Sequence, residues 1–308
     1  ASENVHQIYA GKDKISSKPI YISTWQSLYK MNISYYADFD FILGDEAHLF
    51  KAKSLTSIME KTINTKYKFG TTGTLDGTLT HKLVLEGLFG ETHLVTTTNE
   101  LIDKKTLSPF RIKSLVLQYP EEMRKQIKSY TYKEEIDVII SNEKRNKFIR
   151  NLAISLNTNT LILFQMVENH GKILYDLIKE KAKDGRKVFF VYGGTETTDR
   201  ENIRKAVENE TNAIVVASYG TFSTGINITN LHNIIFASPS KSRIRNLQSI
   251  GRSLRQNKSK KIATLYDIAD DFSYKNYKNY TLNHFVERIK LYNEEQFEYT
   301  IITVPINS

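Results

Sequence analysis

The chain of 308 residues contains no cysteine. Disulfides, thiolate metal sites and a cysteine nucleophile are therefore excluded, and a cytosolic setting fits. Tryptophan occurs once and proline five times, so no segment has the proline-rich composition of a stiff linker. No run approaches the roughly 18 uncharged apolar residues of a membrane span. Residues 1–14 are polar and lack the apolar centre of a secretory signal. The seven histidines, among them His81, His93, His232 and His284, show no metal-ligand spacing, and no zinc site is expected. Also absent is any Gly-x-x-x-x-Gly-Lys-Ser/Thr string, the loop that cradles nucleotide phosphates. Gly11-Lys12 continues into Asp13 and Gly171-Lys172 into Ile173. Acid is the minority charge: 34 Asp and Glu face 43 Lys and Arg, a net charge of +9. That balance favours polyanionic partners, because each phosphate neutralised by Lys or Arg releases condensed counterions.

What is present reads as α/β. At 40% hydrophobic and 25% charged, the composition suits a chain that buries a core. Short β-branched or aromatic runs at 19–23, 39–44, 67–71, 160–164, 187–192, 213–217, 233–237 and 263–267 are candidate strands. Unbroken apolar runs such as Ala213-Ile214-Val215-Val216-Ala217 suit strands covered on both faces, the mark of a parallel sheet. Helical stretches lie between them, at 55–63, 144–156 and 172–181, with Phe148 and Leu152, and Ile149, Ala153 and Leu156, recurring at spacings of three and four. Strand–helix alternation predicts βαβ units. The sequence turns polar around Tyr119-Pro120-Glu121-Glu122, which divides the chain into residues 1–115, a linker at 116–143, and 144–308. The end of the chain reads as a Tyr-, Lys- and Asn-rich stretch, a helix at 282–297 and a strand-like run at 299–304.

The apolar run Phe41-Ile42-Leu43-Gly44 leads directly into Asp45-Glu46-Ala47-His48. Open α/β sheets bind ligands at the carboxyl ends of their strands, so this strand delivers two adjacent carboxylates to such a place. One can hold Mg²⁺ while the other orients or deprotonates a water. Arg252 and Arg255, three apart, share one face of a helix. Two guanidiniums so placed can neutralise charge in a phosphoryl transition state, worth roughly 10³–10⁵ in rate in related systems.

Asp45-Glu46-Ala47-His48 resembles motif II of superfamily 2 helicases in its DEAH form, and further strings follow in that family's order. Residues 21–26, Tyr-Ile-Ser-Thr-Trp-Gln, resemble motif Ib; Thr72-Gly73-Thr74 resembles motif III; residues 219–227 resemble motif V; and Gln248-Ser249-Ile250-Gly251-Arg252-Ser253-Leu254-Arg255 resembles motif VI. The wording at 69–75, 130–136 and 217–226 is similar to the recombination and repair helicases of T-even-like phages, a likeness running from about 21 to 304.

The resemblance implies two RecA-like α/β domains, the first partial at its N-terminus, with ATP and Mg²⁺ in the cleft between them and DNA across both. It implies ATP hydrolysis coupled to movement on DNA and remodelling of branched intermediates such as forks and Holliday junctions, in the cytoplasm of an infected host. Residue by residue, it implies that Asp45 holds Mg²⁺, that Glu46 manages the attacking water, and that Gln248, Arg252 and Arg255 complete the site. His48, Thr72 and Thr74 would couple nucleotide state to strand binding. Gly225 and Asn227 would lie near the nucleotide. Thr24, Gln26, Gly193, Thr195, Ser223 and Thr224 would contact nucleic acid, with Arg200 close to Gly193-Gly194-Thr195. Asn169-His170-Gly171 falls where motif IV lies, and His170 reads as a packing or capping residue. Trp25, a lone tryptophan beside a strand, reads as core.

The pattern breaks at the phosphate loop. Only 44 residues precede Asp45, and the expectation is that the missing part is supplied in cis or in trans. The polypeptide alone is then expected neither to bind ATP tightly nor to turn it over. A second reading stays open: a non-catalytic nucleic-acid-binding or regulatory module that docks on a partner.

Overall fold

The computed structural model describes residues 2–9, 11–73, 75, 78–183, 185–225, 228–239 and 262–306. The chain divides into two compact units, Ala1–Leu94 and Val95–Ser308.

In the first unit, β1 (Val5–Ile8) pairs in parallel with β2 (Ile20–Ser23), which runs into the short α1 (Trp25–Leu28). A second parallel pair joins β3 (Phe41–Gly44) to β4 (Tyr67–Gly70), with Phe41 opposite Tyr67 and Gly44 opposite Gly70. α2 (Lys53–Lys61) connects β3 to β4, and α3 (Leu79–Phe89) follows β4. Side chains alternate across a strand. Ile42 therefore faces a small core of Phe50, Leu55, Met59 and Leu85, with Leu88 and Phe89 packed against it. Phe41, Leu43, Tyr67 and Phe69 occupy the other face and are 49–57% exposed; Ile20 and Ile22 on β2 are 50% and 59% exposed. Parallel sheets are ordinarily covered on both faces.

The second unit opens with α4 (Thr98–Asp103) and β5 (Phe110–Gln118). There follow α5 (Glu121–Ile127), α6 (Tyr132–Ser141), α7 (Glu143–Ser155), β6 (Thr160–Phe164), a π-helical turn (Val167–Lys172), α8 (Ile173–Lys181), β7 (Val188–Val191), α9 (Thr197–Glu208), β8 (Ile214–Ser218) and α10 (Tyr219–Gly225). β9 (Asn233–Phe236), β10 (Ala263–Asp271), α11 (Tyr280–Glu294) and β11 (Tyr299–Pro305) complete it. Its seven strands form one sheet in the order β11-β5-β10-β9-β6-β8-β7, and every pair is parallel. The apolar runs explain themselves here. Leu161, Leu163, Val215, Ala217, Ile234, Phe236 and Leu265 build one core, while their neighbours Ile162, Phe164, Ile214, Val216, Ile235 and Ile268 build the other. A strand with both faces buried needs apolar residues at both parities. Burying each such side chain contributes roughly 1.5–3 kcal/mol. α6 starts at a capping box: the Glu134 amide donates to Thr131 Oγ1 at 3.4 Å, and the Thr131 amide donates to the Glu134 carboxylate at 2.7 Å.

All eight candidate strands of the sequence are present, as is the α/β class. The division of the chain falls elsewhere than the expected 115/116. Residues 110–118 form a strand paired with both β10 and β11 in the second sheet. The expected linker, 116–143, holds the end of that strand, α5 and α6, with Ile127, Ile139 and Ile140 buried. The polar turn at 119–122 is a strand-to-helix connection inside the second unit. No helix among the described residues is long and apolar enough to cross a membrane, and none of the described His, Asp and Glu residues cluster in a metal-binding group of three.

Two buried ion pairs tie the second unit together. Arg145 on α7 meets Asp270 on β10 through two hydrogen bonds, Nε to Oδ1 at 2.7 Å and Nη2 to Oδ2 at 3.0 Å. Tyr119 donates its hydroxyl to the same Oδ1 at 2.8 Å. Arg288 on α11 pairs likewise with Asp267, which also accepts from the Tyr292 hydroxyl. Burial, and then the neighbouring carboxylate, holds the phenols of Tyr119 and Tyr292 well above their ordinary pKa.

Candidate functional site

β3 and β4 are parallel and in register, so the loops that leave them emerge at one edge: Asp45-Glu46 from β3, Thr71-Thr72 from β4. The Thr71 amide donates to Gly44 O at 2.9 Å and the Ala47 amide to Thr71 O at 2.8 Å, which extends the pairing by one step and zips the two loops. Gly44 is required at this junction, because a Cβ there would lie 2.8 Å from the Phe50 ring.

Asp45 is exposed at the strand end. Its Oδ1 accepts from the Glu46 amide at 2.9 Å and from the Thr71 hydroxyl at 3.3 Å, so the carboxylate is aimed by its neighbours. Glu46 stands in the left-handed region, φ 50° and ψ 49°. For a residue other than glycine this conformation costs on the order of 1–3 kcal/mol and persists only where its surroundings impose it. It turns the chain so that the Glu46 carboxylate reaches back to His48, with Oε2 3.2 Å from Nδ1. The same Nδ1 lies 2.9 Å from Thr72 Oγ1. A carboxylate only accepts, so the tautomer protonated at Nδ1 is the one that can donate to Glu46. His48 is buried, 4% exposed, and joins the carboxylate pair of the first loop to the hydroxyl of the second.

One residue of this arrangement escaped the sequence. His81, on α3, is buried, and its Nε2 donates to His48 O at 2.9 Å. It braces the turn that carries Glu46 and His48. Thirty-three positions separate it from His48, and no local pattern marks it.

The other expected residues of this unit are separate from the Asp45–Thr72 cluster. Thr24 precedes α1 and its hydroxyl is 3.2 Å from Ser27 Oγ; Thr24 and Gln26 are exposed. Trp25, expected in the core, is 37% exposed and packs edge-on against Tyr29. It follows a strand whose outward face is itself uncovered. Thr74 lies outside the described residues.

In the second unit the strands are all parallel, so the loops after β6, β7, β8 and β9 share one edge of the sheet. After β7, the Thr195 amide donates to Tyr192 O at 3.0 Å and the Tyr192 amide to Thr195 Oγ1 at 3.0 Å, a closed turn that presents Gly193. Arg200 donates to Thr195 O and Gly193 O at 2.8 and 2.9 Å, so its guanidinium clamps the turn. After β8, Ser218 Oγ meets Thr221 Oγ1 at 2.8 Å, and α10 carries Ser223, Thr224 and Gly225 in its backbone. Asn227, Gln248, Arg252 and Arg255 lie outside the described residues.

His170 is wholly buried in the π-helical turn, its Nδ1 3.0 Å from Ser238 Oγ. Burial, and then the charge of Arg145, pushes its pKa down to about 3. The folded state thus holds the ring neutral while the unfolded chain, near 6.5, takes up a proton as the pH falls. Stability from this group is complete above pH 6.5 and is lost between 6.5 and about 3. At pH 5 the loss is about 2 kcal/mol, roughly 1.5 pH units at about 1.36 kcal/mol each. Urea unfolding at about pH 7.5 and about pH 5 should show the stability difference between wild type and His170→Asn shifting by that amount in favour of the variant. A difference independent of pH contradicts the assignment.

Comparison with known proteins places this geometry. Residues 143–257 match the helicase conserved C-terminal domain family, and residues 1–77 match the family of the type III restriction enzyme res subunit. The ATP-dependent DNA helicase UvsW of Enterobacteria phage T4 is 38% identical over 299 residues, covering 93% of this chain and 59% of that protein. The chain belongs to the superfamily 2 helicases. The crystal structure of T4 UvsW matches all of this chain and 63% of its own, with a TM-score of 0.57 and 36% identity. The ATP-dependent Type ISP restriction-modification enzyme LlaBIII, solved bound to DNA, matches 94% of this chain and 24% of its own, at TM-score 0.63 and 14% identity. Dbp5 of S. cerevisiae, solved with RNA and ADP BeF3, matches at TM-score 0.59 and 11% identity, over 100% of this chain and 71% of that one. The last two share the RecA-like fold. The chain thus spans about three-fifths of the length of the T4 relative.

Proposed function

We propose that the chain is the motif-bearing part of an ATP-dependent DNA helicase or translocase that remodels branched DNA in phage recombination, repair and replication. The observation that carries the reading is the Glu46–His48–Thr72 linkage. It joins a carboxylate suited to handling a water to a hydroxyl on the neighbouring strand loop, through one buried ring. The site suits a hard, oxygen-seeking cation: Asp45 is an exposed carboxylate at a strand end, its orientation fixed by two donors. Mg²⁺·ATP would supply the phosphoryl bond to be broken and the charge that the cation neutralises. Asp45 would hold the cation and Glu46 would orient the attacking water and accept its proton at Oε. His48, with Nδ1 3.2 Å from Oε2, keeps the Glu46 carboxylate turned toward it. Gln248, Arg252 and Arg255 would meet the phosphates, with Gly225 and Asn227 beside the nucleotide. Thr24, Gln26, Gly193, Thr195, Ser223 and Thr224 would contact the DNA backbone through hydroxyls and amides.

The phosphate-binding loop would come from sequence outside these 308 residues, in cis or in trans. The exposed Phe41, Leu43, Tyr67 and Phe69 of the β3–β4 pair, and Ile20 and Ile22 of β2, support this, since further polypeptide packed on these strands would cover them. The absence of that loop string from the chain favours one other reading, a binding module without catalysis.

Thr72→Ala tests the linkage. In protein supplied with the loop segment, the variant should keep ATPase within about threefold of wild type, because no group at the phosphates changes. Displacement of a labelled strand from a forked duplex should fall at least about tenfold. Parallel loss of both activities, or no loss of either, contradicts coupling through Thr72.

A further inference from the structure

The turn after β6 is built to bury His170. The Gly171 amide donates to Met166 O at 2.9 Å, a bond to the fifth residue back that marks a π-helical turn. Such turns put one extra residue into a helix and re-aim the side chains around it. Gly171 must lack a side chain, because a Cβ there would sit 2.5 Å from the Phe164 ring.

His170 meets Ser238, two residues beyond β9, and Ser238 uses every polar atom it has. Its amide donates to Leu163 O at 3.3 Å, at the end of β6. Its Oγ accepts from the Gln165 amide at 3.1 Å and faces His170 Nδ1 at 3.0 Å. Its carbonyl accepts from the Tyr219 hydroxyl at 3.2 Å, and Tyr219 opens α10. One residue earlier, Ala237 O accepts from Arg145 Nη2 at 2.8 Å, which links the cluster to Asp270 on β10. His170, Ser238, Tyr219, Arg145 and Asp270 are all 4% exposed or less. The loops after β6, β8 and β9 therefore meet at one buried polar point. An apolar contact could fill this space, but it would not fix direction; directional hydrogen bonds in a low-dielectric interior do, although His170 Nε2 and Arg145 Nη1 are buried without a partner.

We propose that His170 and Ser238 are positioning residues that hold these three loops in a single register. Ser223 and Thr224 follow Tyr219 on α10, and Arg252 and Arg255 lie 14 and 17 positions after Ser238 in the sequence. Through the node, the segment assigned to DNA and the segment assigned to the nucleotide shift together; neither positioning residue touches substrate. The functional meaning rests on the motor reading above, whereas the node itself rests on geometry alone.

The test uses the full 308-residue chain and amide hydrogen exchange read by mass spectrometry, with His170→Ala, Ser238→Ala and His170→Asn. His170→Ala and Ser238→Ala should each speed exchange at least about tenfold in peptides over 165–171, 219–225 and 238 onward. Peptides from β5 and β10 should keep wild-type rates. His170→Asn, whose amide reaches the place of Nδ1, should restore rates to within about threefold. Should His170→Ala not fold, Ser238→Ala carries the same comparison. In parallel, affinity for a fluorescein-labelled single-stranded oligonucleotide of about 20 nucleotides should fall about tenfold in His170→Ala and recover in His170→Asn. Uniform acceleration across the sheet, or acceleration confined to 165–171, overturns the node. A tripartite exchange pattern with unchanged oligonucleotide affinity overturns its coupling role. The same pattern in a wild-type chain that binds no oligonucleotide upholds the node and defeats the nucleic-acid reading instead.

Discussion

Glu46→Gln should lower DNA-stimulated ATP turnover by at least about 100-fold in protein supplied with its phosphate-binding loop, with KM for ATP changed by less than about threefold. A positioned general base contributes roughly 10²–10⁴ to such a step, and the amide that replaces it cannot take a proton. The fold should not suffer. The carbonyl oxygen of the substituted amide accepts from His48 Nδ1 as the carboxylate oxygen does at 3.2 Å, and the left-handed backbone at this position is equally available to either side chain. Steady-state kinetics beside thermal unfolding separates the cases. Lost turnover at unchanged stability supports Glu46 as the base. Lost turnover with a matching loss of stability, or turnover within about tenfold of wild type, removes Glu46 from that role.

Asp270→Asn should cost the second unit about 3–5 kcal/mol, because it leaves the Arg145 guanidinium charged and uncompensated in the interior. Both partners are fully buried, and Asp270 also accepts from Tyr119. A melting temperature lower by about 10 °C is the expected scale for a unit of this size. Replacing the pair together, Arg145→Met with Asp270→Leu, should return much of that loss, since an apolar pair needs no desolvation of charge. Urea unfolding of the three proteins checks this. An Asp270→Asn variant within about 1 kcal/mol of wild type contradicts the burial of the pair.

Much of the fold was legible because the second sheet is covered on both faces, and runs such as 160–164 and 213–217 can be nothing else in a parallel strand. Two strands were not. Val5–Ile8 is four residues long and includes His6 and Gln7. Phe110–Gln118 carries Arg111 and Lys113 and precedes a polar turn, which reads as the end of a domain. Its burial comes from β10 and β11, far along the chain. The carboxylate box was legible because its residues are contiguous. His81 and Ser238 were not, since each acts on a residue at least 33 positions distant. His170 was visible and read as packing. Its burial fits that reading; its hydrogen bond to Ser238 needs the end of β9 brought beside the end of β6, which no local pattern reveals. Arg200, expected only close to Gly193-Gly194-Thr195, is engaged by Gly193 and Thr195 because a guanidinium seven residues along can reach back over that turn.

On the proposed reading, the Asp45–Glu46–His48–Thr72 cluster belongs to a DNA-dependent ATPase completed by a loop from outside these residues. The most direct measurement is DNA-stimulated ATP hydrolysis by the 308-residue chain alone, beside the same chain with a segment bearing the Gly-Lys-Ser/Thr loop supplied in cis or in trans. Hydrolysis should occur only when the loop is present, with stimulation by DNA. Equal hydrolysis without the loop, or an inert completed protein whose short chain still binds DNA, contradicts it.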